Sequence, residues 1–324
     1  MKKKSIGIVG GAGYTAGELI RLLLHHPYVR IAWIHSHSQA GQPVATVHQD
    51  LVGDTALAFT DTLDFDTVDA LFLCMGHGAS AEFLADHTVP DHLSIIDLSQ
   101  DFRLADPSHS FVYGLPELQR ERIREATRIA NPGCFATCIQ LGLLPLAQAG
   151  WLQDEVHIHG ITGSTGAGQR PTETGHFSWR NNNVSVYKAF RHQHLREITQ
   201  SVRSLQPDFH QALNFIPVRG NFTRGIFVTL YTSLNESLEV ARTHYQRFYQ
   251  EAPFVTVTDT NPHLKQVVNT NKGVVYLEEN DGKLLVISMI DNLLKGASGQ
   301  AVQNLNLMMD WEETTGLRLK AGYF

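Results

Sequence analysis

The sequence predicts an α/β protein of two domains, in which a parallel sheet wound with helices precedes an α+β domain whose sheet is mostly antiparallel. In the first half, strand-like runs such as SIGIVG and VDALFLCMG alternate with helical stretches such as YTAGELIRLLLHH, as parallel strands joined by helices do. After about residue 133, runs such as GIFVTLYTS and KLLVISMI are joined mainly by turns or long loops, which favours antiparallel pairing. A final helical run, ASGQAVQNLNLMMDWEE, is predicted to return to the first domain.

Length and composition narrow the class of protein. The 324 residues suffice for two cores, and we assign residues 1–132 with 296–324 to the first domain and 133–295 to the second. The formal charge of −6 argues against nucleic acid or an anionic membrane as a partner. No apolar run approaches the roughly 20 residues that span a bilayer. Three cysteines form no disulfide framework and the basic start lacks a signal-peptide core, so we expect a cytoplasmic protein with reduced thiols.

The first strand, IGIV, runs into a glycine-rich turn with the features of a dinucleotide site. Gly11, Gly13 and Ala16 fit the pattern G-x-G-x-x-G/A, and Gly10 with Gly13 fits a related G-x-x-G spacing. Glycine lets the backbone approach a pyrophosphate, which then lies at the positive end of the following helix. Glycine turns also occur for structural reasons, but the position between strand and helix favours a Rossmann-type cofactor site. The predicted cofactor contacts are Gly10, Gly11, Ala12, Gly13, Tyr14, Thr15 and Ala16.

The end of the second strand, VRIAWIHSHS, bears on which nicotinamide cofactor is bound. An NAD site usually presents Asp or Glu there to hold the ribose 2'-hydroxyl. This chain presents Ser36, His37 and Ser38 instead, and hydroxyl groups can donate hydrogen bonds to a 2'-phosphate. We therefore predict NADP, with contacts from Ser36 and Ser38. The alternative is a solvated loop.

The stretch IANPGCFATC predicts a reactive cysteine. Pro132 suits the first turn of a helix and Gly133 leaves room beside the thiol, so Cys134 is expected at a helix N-terminus. The helix dipole and the exposed amides there favour the thiolate, and the amides also stabilise an oxyanion on a substrate carbonyl. The alternative, a buried structural cysteine, fits Cys74 and Cys138 better.

A cysteine nucleophile needs a proton-transfer partner, usually histidine. Among the 17 histidines, His192 and His194 have the best context, because AFRHQHLREI places them just before a helical stretch. His-x-His also occurs in metal sites, but no cluster with metal-ligand spacing completes one, so no metal is predicted. His157 and His159 alternate with apolar residues and are expected on one face of a strand.

Several motifs together resemble the N-acetyl-gamma-glutamyl-phosphate reductase family, which is related to aspartate-semialdehyde dehydrogenase. The resemblance runs nearly end to end, through GGAGYTAGELIRLL, DLSQDFRL at 97–104, YGLPEL at 113–118, NPGCFAT, GSTGAGQRP at 163–171, YKAFRHQHLREI at 187–198, TRGI at 223–226 and DNLLKGASGQAVQNLNLM at 291–308. The chain departs from the family pattern at Ala136 (usually Pro), at His37 (often Arg) and in NFIPVRGNFTRG, which replaces a form richer in His and Pro.

The resemblance implies a reaction and site residues. Cys134 would attack an N-acylglutamyl phosphate, phosphate would leave, and NADPH would reduce the thioester to the γ-semialdehyde, a step of arginine biosynthesis. His192 is the predicted acid/base, with His194 as the alternative and as a substrate contact. Arg103 would grip the phosphoryl group, since Arg forks onto phosphate oxygens, with Arg224 as a second anion contact. The implied nicotinamide and cofactor contacts are Ser164, Gly166, Gly168, Asn292 and Asn304.

The same motifs allow other functions and leave the partners to be identified. The implied partners are a small-molecule substrate and further copies of the chain, as a homodimer or homotetramer. A relative acting on aspartyl or N-acylaminoadipyl phosphate would share the same motifs. A non-catalytic NADP-binding sensor would not need Cys134, His192 and Arg103 together. The acyl group, acetyl or a larger one such as succinyl, is not fixed by the sequence.

Overall fold

The structure is a computed structural model that describes residues 2–323. It divides into two compact units. The first contains the chain up to Pro132 and Ala297–Arg318, and the second contains Gly133–Gly296 and the residues from Leu319 onward. No helix within residues 2–323 is long and apolar enough to cross a membrane.

The first unit is built on a seven-stranded, entirely parallel sheet of order β3-β2-β1-β4-β5-β7-β6. Its strands are β1 (Lys4–Val9), β2 (Val29–His35), β3 (Phe59–Thr60), β4 (Ala70–Leu73), β5 (Ser94–Asp97), β6 (Val112–Tyr113) and β7 (Arg128–Ala130). The helices are α1 (Tyr14–Leu24), α2 (Ala79–Asp86) and α3 (Pro116–Glu125). Buried apolar strands between helices form the wound sheet that the sequence predicts. Because the strands are parallel, their carboxyl ends share one edge, where cofactor sites form.

The second unit contains a seven-stranded mixed sheet of order β12-β13-β14-β11-β8-β10-β9. Its strands are β8 (Val156–Thr162), β9 (Ser185–Val186), β10 (Leu213–Arg219), β11 (Ile226–Ser233), β12 (Val255–Thr258), β13 (Gly273–Asn280) and β14 (Lys283–Ile290). The helices are α4 (Cys134–Gln148), α5 (Phe177–Arg180), α6 (His194–Leu205) and α7 (Leu238–Phe248). Four of its six strand pairings are antiparallel, which confirms the predicted class. The pair β8–β10 is parallel, and the long connection that such a pair requires contains α6.

The central helix of the second unit, α4, is buried over nearly its whole length, as expected of a helix that is apolar on all sides. Pro145 lies inside it and lacks the amide that would bond to the carbonyl of Leu141. The hydroxyl of Tyr249 donates to that carbonyl at 2.6 Å, and the hydroxyl of Tyr245 donates to the carbonyl of Gly142 at 2.5 Å. Side chains of α7 and the residue that follows it therefore satisfy the acceptors around the proline, and α4 stays continuous to its first residue, Cys134.

The last helix, α8 (Gly299–Met308), belongs to the first unit, as the closing helical run of the sequence indicates. Its side chains are almost all buried, including the amides Gln300, Gln303, Asn304 and Asn306. The Asn306 amide donates to the carbonyls of Glu313 and Thr315, which fixes the segment after the helix. The helix therefore packs through polar as well as apolar contacts.

Candidate active site

The glycine turn after β1 is held against the sheet by contacts that leave no room for side chains. Gly10 has φ = +80°, and a Cβ there would lie 2.9 Å from the carbonyl oxygen of Cys74. A Cβ at Gly11 would collide with Cγ2 of Ile34. The amides of both glycines donate to the carbonyl of His35, at 3.2 and 2.9 Å. Glycine is therefore required at both positions by packing alone, before any ligand is considered.

The N-terminus of α1 has the properties of an anion-binding helix end. Gly13 is its extended N-cap, without a side-chain cap or an acidic residue in the first turn. A Cβ at Gly13 would meet nothing within 4 Å, so the space before the helix is open. His48 packs on Gly17 and bonds through Nε2 to the carbonyl of Gly11 at 2.8 Å, which braces the turn. The open amides fit a pyrophosphate, and packing does not account for glycine at Gly13.

The other predicted contacts of this turn differ in exposure. Tyr14 is 39% exposed, whereas Ala16 is fully buried and belongs to the core of the unit. The carbonyl of Thr15 accepts a hydrogen bond from the Ser298 hydroxyl at 2.7 Å. Of these residues, Ala12, Tyr14 and Thr15 have the exposure that ligand contact requires.

The end of β2 carries the hydroxyl groups that the sequence analysis assigned to the cofactor. Ser36 is 7% exposed and its amide donates to the carbonyl of Thr60, while Ser38 is exposed. The rings of His35 and His37 are 4.6 Å apart. Burial lowers the pKa of His35, as do the charges of His37 and His87, while the charge of Asp61 raises it. A carboxylate after β3 thus acts on this end of the sheet, which the sequence analysis did not consider.

Arg103 and Asn304 meet around Asn131, at the end of β7. The Nε of Arg103 donates to the carbonyl of Asn131 at 2.9 Å, and one terminal nitrogen donates to the carbonyl of Leu98 at 3.1 Å. Asn304 donates to the carbonyl of Gly114 and to the side-chain oxygen of Asn131. Arg103 is 6% exposed, which excludes an ordinary surface ion pair, and Asn304 is fully buried. Both side chains hold the segment that leads to Pro132.

Cys134 is the first residue of α4, where the sequence predicts it. Gly133 is an extended N-cap without a side-chain cap, and its amide donates to Oε2 of Glu197 at 3.1 Å. A Cβ at Gly296 would lie 2.9 Å from Cβ of Cys134, so a second glycine makes room beside the nucleophile. Cys134 is partly exposed, whereas Cys74 and Cys138 are buried, and burial raises the pKa of both thiols. Of the three thiols, Cys134 is the accessible one.

His192 and His194 lie together with different surroundings. Their ring centroids are 4.5 Å apart, and His192 packs against the rings of Phe135, Tyr187 and Phe215. Burial, followed by the charge of Lys188, lowers the pKa of His192 to about 4. A Cβ at Gly133 would lie 2.6 Å from Cε1 of His194, so this ring is the one that abuts the turn before Cys134.

Glu197 connects His194 to that turn. Its Oε1 is 3.9 Å from Nε2 of His194, while its Oε2 accepts the amide of Gly133. Both side chains are buried, at 6% and 3% exposure. The pair lies on one face of α6 at the spacing i, i+3. A carboxylate that orients a histidine beside a cysteine is a recognised arrangement for activating a nucleophile.

Comparisons with known proteins identify the family of this arrangement. Two family models match, the semialdehyde dehydrogenase NAD binding domain over residues 5–126 and the semialdehyde dehydrogenase dimerisation domain over residues 134–292. An N-acetyl-gamma-glutamyl-phosphate reductase of Parabacteroides distasonis is 57% identical over 98% of this chain and 99% of its own length. One of Flavobacterium johnsoniae is 54% identical over 99% of both. The chain belongs to the N-acetyl-gamma-glutamyl-phosphate reductase family. The predicted resemblance and the oxidoreductase class are thereby confirmed.

Solved structures resemble this chain at lower sequence identity. Aspartate semialdehyde dehydrogenase II of Vibrio cholerae, solved with ASA, has a TM-score of 0.74 and 16% identity over 96% of this chain and 99% of its own. The aspartate semialdehyde dehydrogenase of Candida albicans, solved with NADP, has a TM-score of 0.73 and 12% identity over 95% and 99%. At these identities the likeness shows the fold alone.

The loop after β8 contains the nicotinamide contacts implied for an N-acetyl-gamma-glutamyl-phosphate reductase. It forms a 3-10 turn over Ser164–Ala167 and leaves it through Gly168 at φ = +80°. Asn292 holds this loop, since its amide donates to Oγ1 of Thr165 at 3.0 Å and its oxygen accepts the amide of Gly225 at 2.7 Å. Gly166 faces the same amide, with 3.9 Å between a Cβ there and Nδ2 of Asn292. The described contacts of Asn292 thus position the loop.

Arg224, the predicted second anion contact, forms a two-pronged ion pair with Asp291. Its Nε and one terminal nitrogen each lie 3.1 Å from an oxygen of that carboxylate. Asp291 is fully buried and also accepts the amides of Asn269, Leu293 and Leu294. The pair therefore fixes three chain segments of the second unit, whatever further contact Arg224 makes.

Sequence reasoning missed four side chains of this region: Tyr187, Glu197, Arg219 and Asp291. Glu197 follows His194 by one helical turn, and this spacing was available as a signal. Asp291 and Arg219 are brought to their neighbours by strand pairing, which their local sequence does not reveal. Within residues 2–323, no group of three or more His, Cys, Asp or Glu side chains could hold a metal ion.

Proposed function

We propose that this protein reduces N-acetyl-gamma-glutamyl phosphate, or another N-acylglutamyl phosphate, to the γ-semialdehyde with release of phosphate, a step in arginine biosynthesis. The observation that carries the proposal is Cys134, the partly exposed first residue of a helix whose N-terminus has no side-chain cap. Relatives that are 54–57% identical over nearly the whole chain are named N-acetyl-gamma-glutamyl-phosphate reductases, which supports this substrate.

The position of Cys134 suits covalent catalysis on an acyl phosphate. Its Sγ bonds to the γ-carbonyl carbon, the bond from that carbon to the phosphate oxygen breaks, and phosphate leaves with the electron pair. The dipole and first amides of α4 favour the thiolate and stabilise negative charge on the carbonyl oxygen. A thiolate both attacks well and leaves well, so the same sulfur is released when the reduced intermediate collapses to the aldehyde.

The contacts support His194 as the proton-transfer group, with His192 as the alternative. His194 abuts Gly133, and Glu197 lies beside it, so the ring is held at the turn that presents the thiol. In this role His194 takes the thiol proton and later moves a proton to and from the carbonyl oxygen. His192 packs among aromatic rings, and because its pKa is about 4 it is neutral near pH 7.

NADP is the cofactor we propose. When bound, it supplies the hydride that reduces the thioester carbonyl. The open amides of α1 would hold the pyrophosphate, and Ser36 and Ser38 would contact the 2'-phosphate. The loop over Ser164–Ala167 would lie against the nicotinamide, held by Asn292. Arg103 is proposed to contact the phosphoryl group, because a guanidinium forks onto phosphate oxygens.

The second unit is the part of the chain that we propose assembles copies, because the matching dimerisation domain covers residues 134–292. The face of its sheet that carries His157 and Tyr231 is exposed, and the two rings stack at 4.9 Å. Tyr231 is 47% exposed and Phe190 is 61% exposed. Large apolar side chains exposed together on one face often mark an interaction surface. Sedimentation of the purified protein tests this, and a monomer at micromolar concentration would refute it.

The proposed reaction is tested in reverse, as phosphate-dependent oxidation of N-acylglutamate semialdehyde with NADP+. The wild-type protein should turn over N-acetyl- or N-succinylglutamate semialdehyde and show no comparable rate with aspartate semialdehyde. Cys134→Ser should lose turnover while keeping fold and cofactor binding, with Cys138→Ser as the matched control. Turnover by Cys134→Ser, or a preference for aspartate semialdehyde, would overturn the proposal.

A further inference from the structure

Arg219 ends β10 in the segment NFIPVRGNFTRG, where the sequence predicts a contact for Arg224 but none for Arg219. Alternate residues Phe215, Pro217 and Arg219 share one face of the strand, and Phe215 belongs to the buried core. Arg219 therefore continues the row that faces the helices of the second unit. In the parallel pairing with β8 it lies beside Thr162, at the edge where the loop 163–168 begins.

Among the residues that the structure describes, no carboxylate pairs with the guanidinium of Arg219. No ion pair within residues 2–323 involves it, and its Nε is buried without a hydrogen-bond partner. Its Cζ lies over the ring of Tyr187, 4.9 Å from the centroid. The adjacent Arg180 donates to the carbonyls of Thr174 and Arg219, and burial and the charge of Arg219 lower its pKa. Within the described part of the chain, the two adjacent arginines thus have no paired counter-charge, which is unfavourable unless an anion binds.

Tyr187 connects this arginine to the nucleophile. Its ring meets that of His192 edge-on at 5.8 Å, and His192 is 4.5 Å from His194, which abuts Gly133. Tyr187 and Cys134 pack against the same core. Burial and then the charge of Cys134, partly offset by Arg219, raise the pKa of Tyr187 to about 12. Both groups are therefore close enough to Tyr187 to act on it electrostatically.

The proposed substrate needs a second anion site. Its acyl phosphate reacts at Cys134, while its other end carries a carboxylate that has to be recognised. A guanidinium fork fits a carboxylate in two-pronged fashion, and an aromatic face beneath it fixes its orientation. We propose that Arg219, supported by Tyr187, is a specificity-determining residue that holds a carboxylate of the substrate. The carboxylate is the α-carboxylate of the glutamyl group or the terminal carboxylate of a dicarboxylic N-acyl group. This inference rests on the proposed function.

The experiment compares Arg219→Met with Arg219→Lys and with Arg196→Met, which removes an exposed arginine of α6. KM is measured for N-acetyl- and N-succinylglutamate semialdehyde, for phosphate and for NADP+. Arg219→Met should raise the KM for semialdehyde by about 10- to 100-fold, the scale of one charged hydrogen-bonding contact, with KM for phosphate and NADP+ unchanged. The KM of Arg219→Lys for semialdehyde should lie between those of the wild type and Arg219→Met, and the KM of Arg196→Met should equal that of the wild type.

The outcomes separate the possible sources of the carboxylate. An equal rise in KM for both semialdehydes assigns Arg219 to the α-carboxylate. A rise in KM confined to the succinyl compound assigns it to the acyl group. An unchanged KM for both, or a rise in the KM for phosphate instead, overturns the inference. Calorimetric binding of N-acetylglutamate and N-succinylglutamate gives an independent readout. If Arg219→Met weakens the binding of neither compound, the inference is overturned as well. If the wild type oxidises neither semialdehyde, the proposed function fails, while the binding comparison still decides on Arg219.

Discussion

Gly133→Ala tests whether the contact between the cysteine turn and His194 matters. The φ of Gly133 is −69°, so alanine meets no backbone strain and the effect of the added methyl is steric. That carbon would lie 2.6 Å from Cε1 and 2.7 Å from Cδ2 of His194, whereas ordinary contact begins at 3.4 Å. The ring or the turn must shift by roughly 1 Å. A shift of that size costs about 1–3 kcal/mol of stability in a packed interior, and roughly 100-fold in rate where reacting groups are misplaced.

The assay is urea unfolding together with kcat for phosphate-dependent oxidation of N-acylglutamate semialdehyde. Gly76→Ala is the matched control, because a Cβ there meets nothing within 4 Å. The double variant Gly133→Ala/His194→Ala removes the ring that the methyl meets. It should regain stability without regaining turnover. Wild-type stability and rate in Gly133→Ala would show that the His194 ring does not constrain the turn.

Three further predictions concern single residues. Because His192 has a pKa of about 4 in the folded protein and about 6.5 when unfolded, the unfolded state binds its proton first as pH falls. The free energy of unfolding should therefore drop by at most about 3 kcal/mol between pH 6.5 and 4, and His192→Asn should flatten this slope. Arg103→Lys should raise the KM for phosphate, because lysine cannot form the two parallel hydrogen bonds of a guanidinium. The loss in kcat/KM should correspond to about 1–3 kcal/mol of transition-state stabilisation. Ser36→Asp should narrow or invert a preference for NADPH over NADH, since a carboxylate repels only the 2'-phosphate.

Each of these has a contrary result. An unchanged pH slope in His192→Asn would place the titration elsewhere. A loss of stability in Arg103→Lys with an unchanged KM for phosphate would leave that side chain as a brace for Asn131 and Leu98. Equal kcat/KM for NADH and NADPH in the wild type would refute a phosphate contact from Ser36.

The parts of the fold that follow from local pattern were predictable. The alternation of buried strands with helices gives the parallel sheet of the first unit, and turn chemistry in Asn-Pro-Gly gives the start of α4 at Cys134. The glycine turn was also placed correctly between β1 and α1. These features depend on residues that are close in sequence, so hydrophobic periodicity and turn residues predict them.

The partners of the charged side chains were not predictable. Arg224 was expected to bind an anion of the substrate, and the structure shows its guanidinium on Asp291, 67 residues away in the chain. Arg103 reaches the carbonyl of Asn131, 28 residues away. Such pairings depend on how strands and loops are brought together, and neither residue type nor spacing encodes them. The choice between His192 and His194 likewise depends on which ring faces Gly133.

Trapping the covalent intermediate tests most directly whether Cys134 carries the acyl group. The protein is mixed with NADP+ and N-acetyl- or N-succinylglutamate semialdehyde in the absence of phosphate, quenched with acid, digested and analysed by mass spectrometry. We expect a burst of NADPH close to one equivalent per chain, with the acyl mass on the peptide that contains Cys134. A turnover-competent protein with that mass on Cys74 or Cys138, or with none on any cysteine, would contradict the account.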